Sequence, residues 1–349
     1  MTPPIPRVTL EDFESGCRGR HLVHAAVDYW AERMPDEPAV LNATRGTRLT
    51  WADLRHGSLA LAGGLARLGL TKGDFLATSL PLSDDHIVFE LACFRLGVVH
   101  APLDLRLQPA EVLRALAQIR AKGYGFPGKI AGVDFGQLGE VVRAQCTSVE
   151  HLIQFAKPEA CIRGAVSFAC LGAEGEPPAA GVAESDGAQV IFTTGSTGSP
   201  KPALLSHRGI TCQNLCLGRA FGFGPGQRVL CNLPASHVGG QSELLLTNLF
   251  MGGTAVTLEI FDPVKSLDAI ERYGVTLLGQ IPAMFQMEWR TAGYPRAQPG
   301  EPASGGLRRA SRPAAVPRTH ARDGSGSGHG AGADRDFGLL HLHPIDRRS

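Results

Sequence analysis

Short apolar runs alternate with stretches of helical periodicity from Leu22 to about Trp289, and this alternation restricts the chain to a small set of folds. Leu22, Ala25, Ala26, Tyr29 and Trp30 recur at helical spacing before Pro35-Asp-Glu-Pro38 ends that helix. Ala39 to Leu41 and Thr47 to Leu49 read as a hairpin around Asn42 to Gly46. Thr50-Trp-Ala-Asp53 is a capping box opening a helix that Gly69 closes, and Phe75 to Leu80 follows as a strand. The unit then repeats: Ser83 caps a helix through Phe94, Gly97 stops it, and Val98 to Ala101 returns as a strand. Gln108-Pro109-Ala-Glu111 starts another helix with proline in a favoured first-turn position.

Lys129 to Gly181 is less regular, and Cys170 to Gly187 reads as a loop. Beyond it, Ser206 caps a helix across Ile210 to Phe221, Arg228 to Leu233 is strand-like, and Pro234 to Gly240 interrupts before an apolar helix at Leu244 to Phe250. Thr254 to Leu258, a helix from Asp262-Pro263 to Tyr273, Val275 to Leu278 and a helix from Ile281 to about Trp289 complete the series. Strands and helices in this order predict an α/β fold of parallel sheets flanked by helices.

Within that frame, Ile191 to Lys201 reads Ile-Phe-Thr-Thr-Gly-Ser-Thr-Gly-Ser-Pro-Lys and follows an apolar strand. Gly195 and Gly198 can take positive φ and turn backbone N–H groups onto an anion, while Thr193, Thr194, Ser196 and Thr197 add hydroxyls and Lys201 a point charge. It is not a Walker A loop, because Pro200 stands at the second glycine and Pro202 follows the lysine. On composition alone, a surface linker of Gly, Ser and Thr is an equal alternative.

Net charge is +1, so no global field points to nucleic acid or an anionic membrane. No apolar run reaches the ~20 residues of a membrane span and the N-terminus lacks a basic segment followed by an apolar one, which gives a cytoplasmic expectation. The eight cysteines are scattered without a C-x-x-C pair, as reduced structural thiols would be.

Near Tyr294 the text changes. From there to Ser349 no lysine occurs and Arg, Ala, Gly, Pro and Ser recur without periodicity, the mark of a segment too poor in large apolar residues to order itself. A disordered tail over 294–349 is expected, either natural or the product of a frameshift in a GC-rich gene; the abrupt change favours the second. The chain therefore divides into an extension at 1–20, a folded region at 21–293 and this tail.

Several motifs, in order, resemble those of the AMP-forming synthetases and ligases, the adenylate-forming acyl-CoA synthetase family. Thr193 to Lys201 is similar to the family's phosphate-loop signature, and Leu205-Ser-His-Arg-Gly209 to the segment after it, although Pro202 replaces the usual glycine. Leu233-Pro-Ala-Ser-His-Val-Gly-Gly240 resembles its next motif, and Leu49 to Leu54, Gly69 to Asp74 and Phe94 to Asp104 match upstream landmarks. The resemblance implies a partial AMP-binding N-terminal domain at 21–293. It also implies a two-step reaction, in which a small carboxylic or fatty acid attacks ATP to give an acyl-adenylate and coenzyme A then displaces AMP.

Carried over residue by residue, the resemblance makes Thr193, Thr194, Gly195, Ser196, Thr197, Gly198 and Lys201 triphosphate contacts, with Thr193 beside Mg²⁺. It sets His237 by the carboxylate or adenylate as a catalytic residue; a histidine packed in a strand-to-helix turn is the alternative. Gly239 and Gly240 would let a substrate approach the backbone. His207 reads as structural, and Met284, Phe285 and Trp289 as core or, less simply, as an acyl pocket. The Tyr-Gly-x-Thr-Glu motif, the ribose-binding aspartate and the catalytic lysine that the family would show next are absent from 294–349. The expectation is an N-terminal fragment with impaired catalysis, the alternative being a non-catalytic nucleotide- or acyl-binding remnant.

Overall fold

The computed structural model describes residues 8–130, 132–172, 180–193, 200–291 and 338–341. Helix α1 (Leu10–Cys17) carries a capping box, Thr9 with Asp12. Helix α2 (Ala25–Arg33) leads to the hairpin of β1 (Pro38–Asn42) and β2 (Thr47–Thr50). A second capping box then opens α3 (Trp51–Arg67): the Thr50 hydroxyl accepts from Asp53 N while the Asp53 carboxylate accepts from Thr50 N.

Strand β3 (Phe75–Thr78), helix α4 (Asp84–Leu96) and strand β4 (Val99–Pro102) form a βαβ unit. Ser83 caps α4 by accepting from His86 N, and Gly97 ends it in the left-handed region at φ 73°. Helix α5 (Pro109–Ile119) and β5 (Gly123–Pro127) follow. The stretch that looks irregular in the sequence is ordered: β6 (Lys129–Ile130), β7 (Val133–Asp134), α6 (Phe135–Gln145), β8 (His151–Phe155) and β9 (Ala165–Ser167) fill much of it. Its strands are too short for periodicity to register, whereas α6 carries Phe135, Leu138 and Val142 at helical spacing behind the Asp134 cap on Gly136 N, a pattern the sequence reading passes over.

Strands β10 (Gly187–Thr193) and β11 (Lys201–Ser206) form an antiparallel pair before α7 (His207–Phe221) and β12 (Arg228–Cys231). A π-helix at Gly239–Leu246 then runs directly into α8 (Thr247–Met251), so the apolar helix expected from Leu244 starts five residues earlier. Strand β13 (Thr254–Thr257), α9 (Pro263–Tyr273), β14 (Leu277–Gln280) and α10 (Pro282–Trp289) continue the alternation. The tail expected at 294–349 lies outside the described residues apart from Gly338–His341, which form β15 antiparallel to β14.

The described strands build one sheet in the order β15-β14-β12-β13-β1-β2, a second in the order β11-β10-β4-β3-β5-β8-β9, and a small β6-β7 ribbon. Both large sheets are parallel within, the first antiparallel at both edges and the second at one, so their central strands are covered on both faces. Between the sheets lies a helical layer whose core joins Trp51 and Leu54 of α3 and Ile87, Leu91 and Phe94 of α4 to Val40, Val229, Ala255 and Leu277 of the first sheet. On the outer face of the second sheet, Val112, Leu116, Leu138 and Val142 of α5 and α6 meet Tyr124 and Phe126. The outer face of the first sheet meets Leu267, Ile270 and Phe285 of α9 and α10. The result is a five-layer α/β sandwich, as the alternation requires. All eight cysteines are free thiols, with Cys17, Cys93, Cys146 and Cys231 buried.

Candidate functional site

The sequence signature sits on a hairpin. Strand β10 is apolar and buried through Ile191 and surfaces at its carboxyl end, where Thr193 stands opposite Lys201, the first residue of β11. The Thr193 hydroxyl donates to the Lys201 carbonyl at 3.4 Å. From α5, Gln118 Nε2 donates to Pro200 O at 3.4 Å and steadies the returning limb. Thr193 and Lys201 are both exposed and face each other across the root of the loop. Thr194, Gly195, Ser196, Thr197 and Gly198 lie outside the described residues. The location agrees with the general rule that open α/β sheets bind ligands beyond the carboxyl ends of their strands.

His237 lies beyond the carboxyl end of β12, in the turn that enters the π-helix. Its backbone N–H donates to Pro234 O at 3.1 Å and its carbonyl accepts from Gln241 N at 3.0 Å. The ring is exposed, and Nδ1 accepts from Gly239 N at 3.1 Å. That bond caps the first turn of the helix and leaves the ring proton of a neutral imidazole on Nε2. His237 thus has the packed-turn role and a ring open to solvent at once. A π-helical turn is a rare departure that recurs at functional sites.

Gly240 is glycine for a reason internal to the chain. A Cβ there would stand 2.7 Å from Pro234 O and 2.9 Å from Leu233 Cβ. The motif's second glycine therefore lets the turn close on itself. Gly240→Ala should displace the 234–241 turn and lower the thermal midpoint by several degrees, since overpacking costs about 1–3 kcal/mol. An unchanged midpoint in differential scanning calorimetry would count against this close packing.

Asp104, just past β4, is a neighbour that the sequence reading did not single out. Hydrogen bonds from the Arg106 side chain hold its carboxyl below the usual range, with a smaller electrostatic contribution from His237. Arg106 binds it through Nε at 2.9 Å and the guanidinium NH2 at 2.6 Å. Asp104 ends the segment Phe94 to Asp104, noticed only as a landmark, and Arg106 lies two residues beyond it.

Three further candidates resolve differently. His207 is buried and its Nδ1 accepts from Val23 N at 3.3 Å, the structural role expected of it. Met284 and Phe285 are core residues, 6% and 8% exposed, as the first of their two readings expects. Trp289 stacks on Phe285 and is 44% exposed. A cavity of about 540 Å³ spans the carboxyl ends of β3, β5 and β8 and faces Arg45, Glu259 and Lys265 across the sheets. Neither Thr193, Lys201 nor His237 lines it.

Among the described residues no group of three or more His, Cys, Asp or Glu could cage a metal ion. The Thr193 hydroxyl offers one neutral oxygen at the loop root, a donor that fits Mg²⁺ carried in on nucleotide phosphates. No helix among the described residues is long and apolar enough to cross a membrane.

With this geometry in view, the comparisons with known proteins become specific. A family model described as AMP-binding enzyme matches residues 27–324. The chain belongs to the AMP-binding enzyme family. The match runs from α2 through α10 and into the segment beyond Tyr294. Feruloyl-CoA synthase of an Amycolatopsis species is 30% identical over 254 residues, covering 71% of this chain and 47% of that protein. Sulfoacetate–CoA ligase of Cupriavidus necator is 27% identical over 323 residues, covering 90% and 60%. This AMP-binding chain spans about half the length of the curated relatives it matches. In fold it is similar to the inhibitor-bound N-terminal domain of FACL13 from Mycobacterium tuberculosis, with TM-score 0.70, 22% identity and coverage of 78% and 66%. ATP-bound MatB from Rhodopseudomonas palustris superposes with TM-score 0.65 at 23% identity, over 78% of this chain and 51% of that one.

Proposed function

We propose that this protein binds ATP at the β10–β11 hairpin, as the triphosphate side of an AMP-forming carboxylate–CoA ligase site. The observation that carries the proposal is the pairing of Thr193 with Lys201 across the root of a Gly/Ser/Thr loop, at a strand's carboxyl end, in an AMP-binding chain. The reaction attached to that reading is activation of a small carboxylic acid. The acid's carboxylate attacks the α-phosphate and pyrophosphate departs, giving an acyl-adenylate; the thiol of coenzyme A then displaces AMP. Relatives named for feruloyl, 4-coumarate, 4-chlorobenzoate and sulfoacetate support an organic acid substrate.

The residues act electrostatically. Charge grows on the leaving pyrophosphate, and the Lys201 ammonium with the loop's N–H and hydroxyl donors stabilises it as it develops. Mg²⁺, bound with the nucleotide, supplies further charge neutralisation. The exposed imidazole of His237 supplies a ring N–H for an anionic acyl or phosphoryl oxygen. Coenzyme A is the thiol that the relatives' names support.

No Tyr-Gly-x-Thr-Glu run occurs within 294–349. This favours a second role for the polypeptide by itself, binding without efficient turnover. Titration calorimetry with MgATP should show one saturable site, weakened at least about tenfold in Lys201→Ala through loss of a charge-assisted contact. Carboxylate-dependent pyrophosphate–ATP exchange on the same polypeptide is expected to be far below that of a full-length relative. Vigorous exchange would overturn the impaired reading, and an unaltered affinity in Lys201→Ala would overturn the site.

A further inference from the structure

A buried carboxylate, Glu90 of α4, lies at the junction of the three arms that carry the candidate site. Glu90 is 1% exposed, and three donors from three different elements converge on it. Gln189 of β10 donates from Nε2 to Oε1 at 2.6 Å. His100 of β4 stands with Nδ1 at 3.0 Å from the same oxygen. Gln241 of the π-helix donates from Nε2 to Oε2. Thr78 lies 2.8 Å from His100 Nε2, so a neutral His100 that accepts there presents its N–H to Glu90. His86 Nε2, one turn before Glu90 on α4, stands 3.3 Å from Gln241 Oε1 and orients that amide.

The spacing gives this cluster its meaning. Gln189 lies four residues before Thr193 on the same strand, and His100 lies four before Asp104. Gln241 lies four after His237, and its N–H bonds back to the His237 carbonyl. Gln189 and His100 are also direct partners in the β10–β4 ladder. Each arm is thus pinned about one turn, or four strand residues, behind its functional tip. A rigid inner ring supporting exposed tips is how sites hold geometry that surface loops alone cannot.

We propose that Glu90 is the positioning residue of the site, tying the hairpin root, the β4 terminus and the His237 turn into one rigid unit. This rests on reading the hairpin as a nucleotide site. It goes beyond that reading in assigning the site's alignment to a buried group that touches no substrate. A carboxylate suits the role because it accepts from several donors at once, whereas a neutral amide in its place turns one N–H toward another donor.

The test compares wild type with Glu90→Gln, which keeps the volume, and with Gln241→Leu, which removes one arm only. Hydrogen exchange followed by mass spectrometry needs no ligand. In Glu90→Gln, exchange should quicken together in 99–104, 187–193 and 237–246, while helix 263–273 stays at the wild-type rate. In Gln241→Leu, the rise should be confined to 237–246. The MgATP Kd of Glu90→Gln, measured above pH 7 where Glu90 is a carboxylate, should rise about tenfold, as loss of a hydrogen bond to a charged group implies. A rise limited to 84–96, or a uniform rise that includes 263–273, would overturn the proposal, because either result makes Glu90 an ordinary core residue. If wild type binds no MgATP, the nucleotide reading fails, and the exchange pattern still decides whether Glu90 couples the three arms.

Discussion

Acidification from pH 7 to pH 4 should unfold this protein in a transition that takes up several protons. Burial holds four imidazoles neutral: His24 and His100 are pushed down to about 3, and His86 and His207 to about 4. In the unfolded chain each would titrate near 6.5. Below that value the unfolded state binds protons that the folded state refuses, so stability falls as pH drops and continues to fall until the folded values are reached. Burial acts in the opposite sense on Glu90, raised to about 7, which stays protonated in the fold where the unfolded chain would already have ionised. Glu288 and Glu243 are raised for the same reason and likewise oppose the histidines.

At pH 5.5, four histidines against Glu90 leave a net uptake of about three protons on unfolding, or roughly 4 kcal/mol of stability lost per pH unit. Urea melts at half-unit steps from pH 7.5 to 4.5 measure this slope directly. A stability that is flat or rises on acidification would show that these histidines are not held neutral in the fold.

The second large effect is steric. Gly64 of α3 lies against the chain at Leu171, and a Cβ at that position would stand 2.0 Å from Leu171 O and 2.7 Å from its carbonyl carbon. The obstacle is backbone, and the same carbonyl accepts from Arg67 at 3.1 Å, so the segment cannot yield without losing that bond as well. Helix propensity favours alanine over glycine by about 1 kcal/mol, which the clash must exceed. Gly64→Ala should therefore destabilise by about 3 kcal/mol, the upper part of the range for overpacking a core. A Gly64→Ala protein as stable as wild type in urea would show that the crossing at Leu171 is loose.

These expectations differ in how far the sequence anticipates them. The βα order and the caps at Thr50, Ser83, Gln108, Ser206 and Asp262 are legible because each rests on residues within one turn of one another. The hairpin root is legible for the same reason, since Thr193 and Lys201 belong to one short run. Segment 129–167 reads only as less regular, because its strands are too short for periodicity and pair with distant partners, although α6 does carry Phe135, Leu138 and Val142 at helical spacing. The Glu90 cluster is hidden in another way: its glutamine partners lie 99 and 151 positions away, and a lone glutamine in an apolar run has no local mark of its partner. Gln189, an isolated polar residue inside the apolar strand before the loop, is the trace that sequence reasoning could have followed. Gly240 shows the converse, a glycine read as space for substrate whose missing side chain is filled by Leu233 and Pro234.

The central claim is that the β10–β11 hairpin cradles a triphosphate, and phosphorus NMR reads that contact most directly. Titrating the protein into MgATP should broaden and shift the β- and γ-phosphate resonances in wild type, and do so far less in Lys201→Ala. Unperturbed phosphate resonances, or equal perturbation by the two proteins, would contradict the claim.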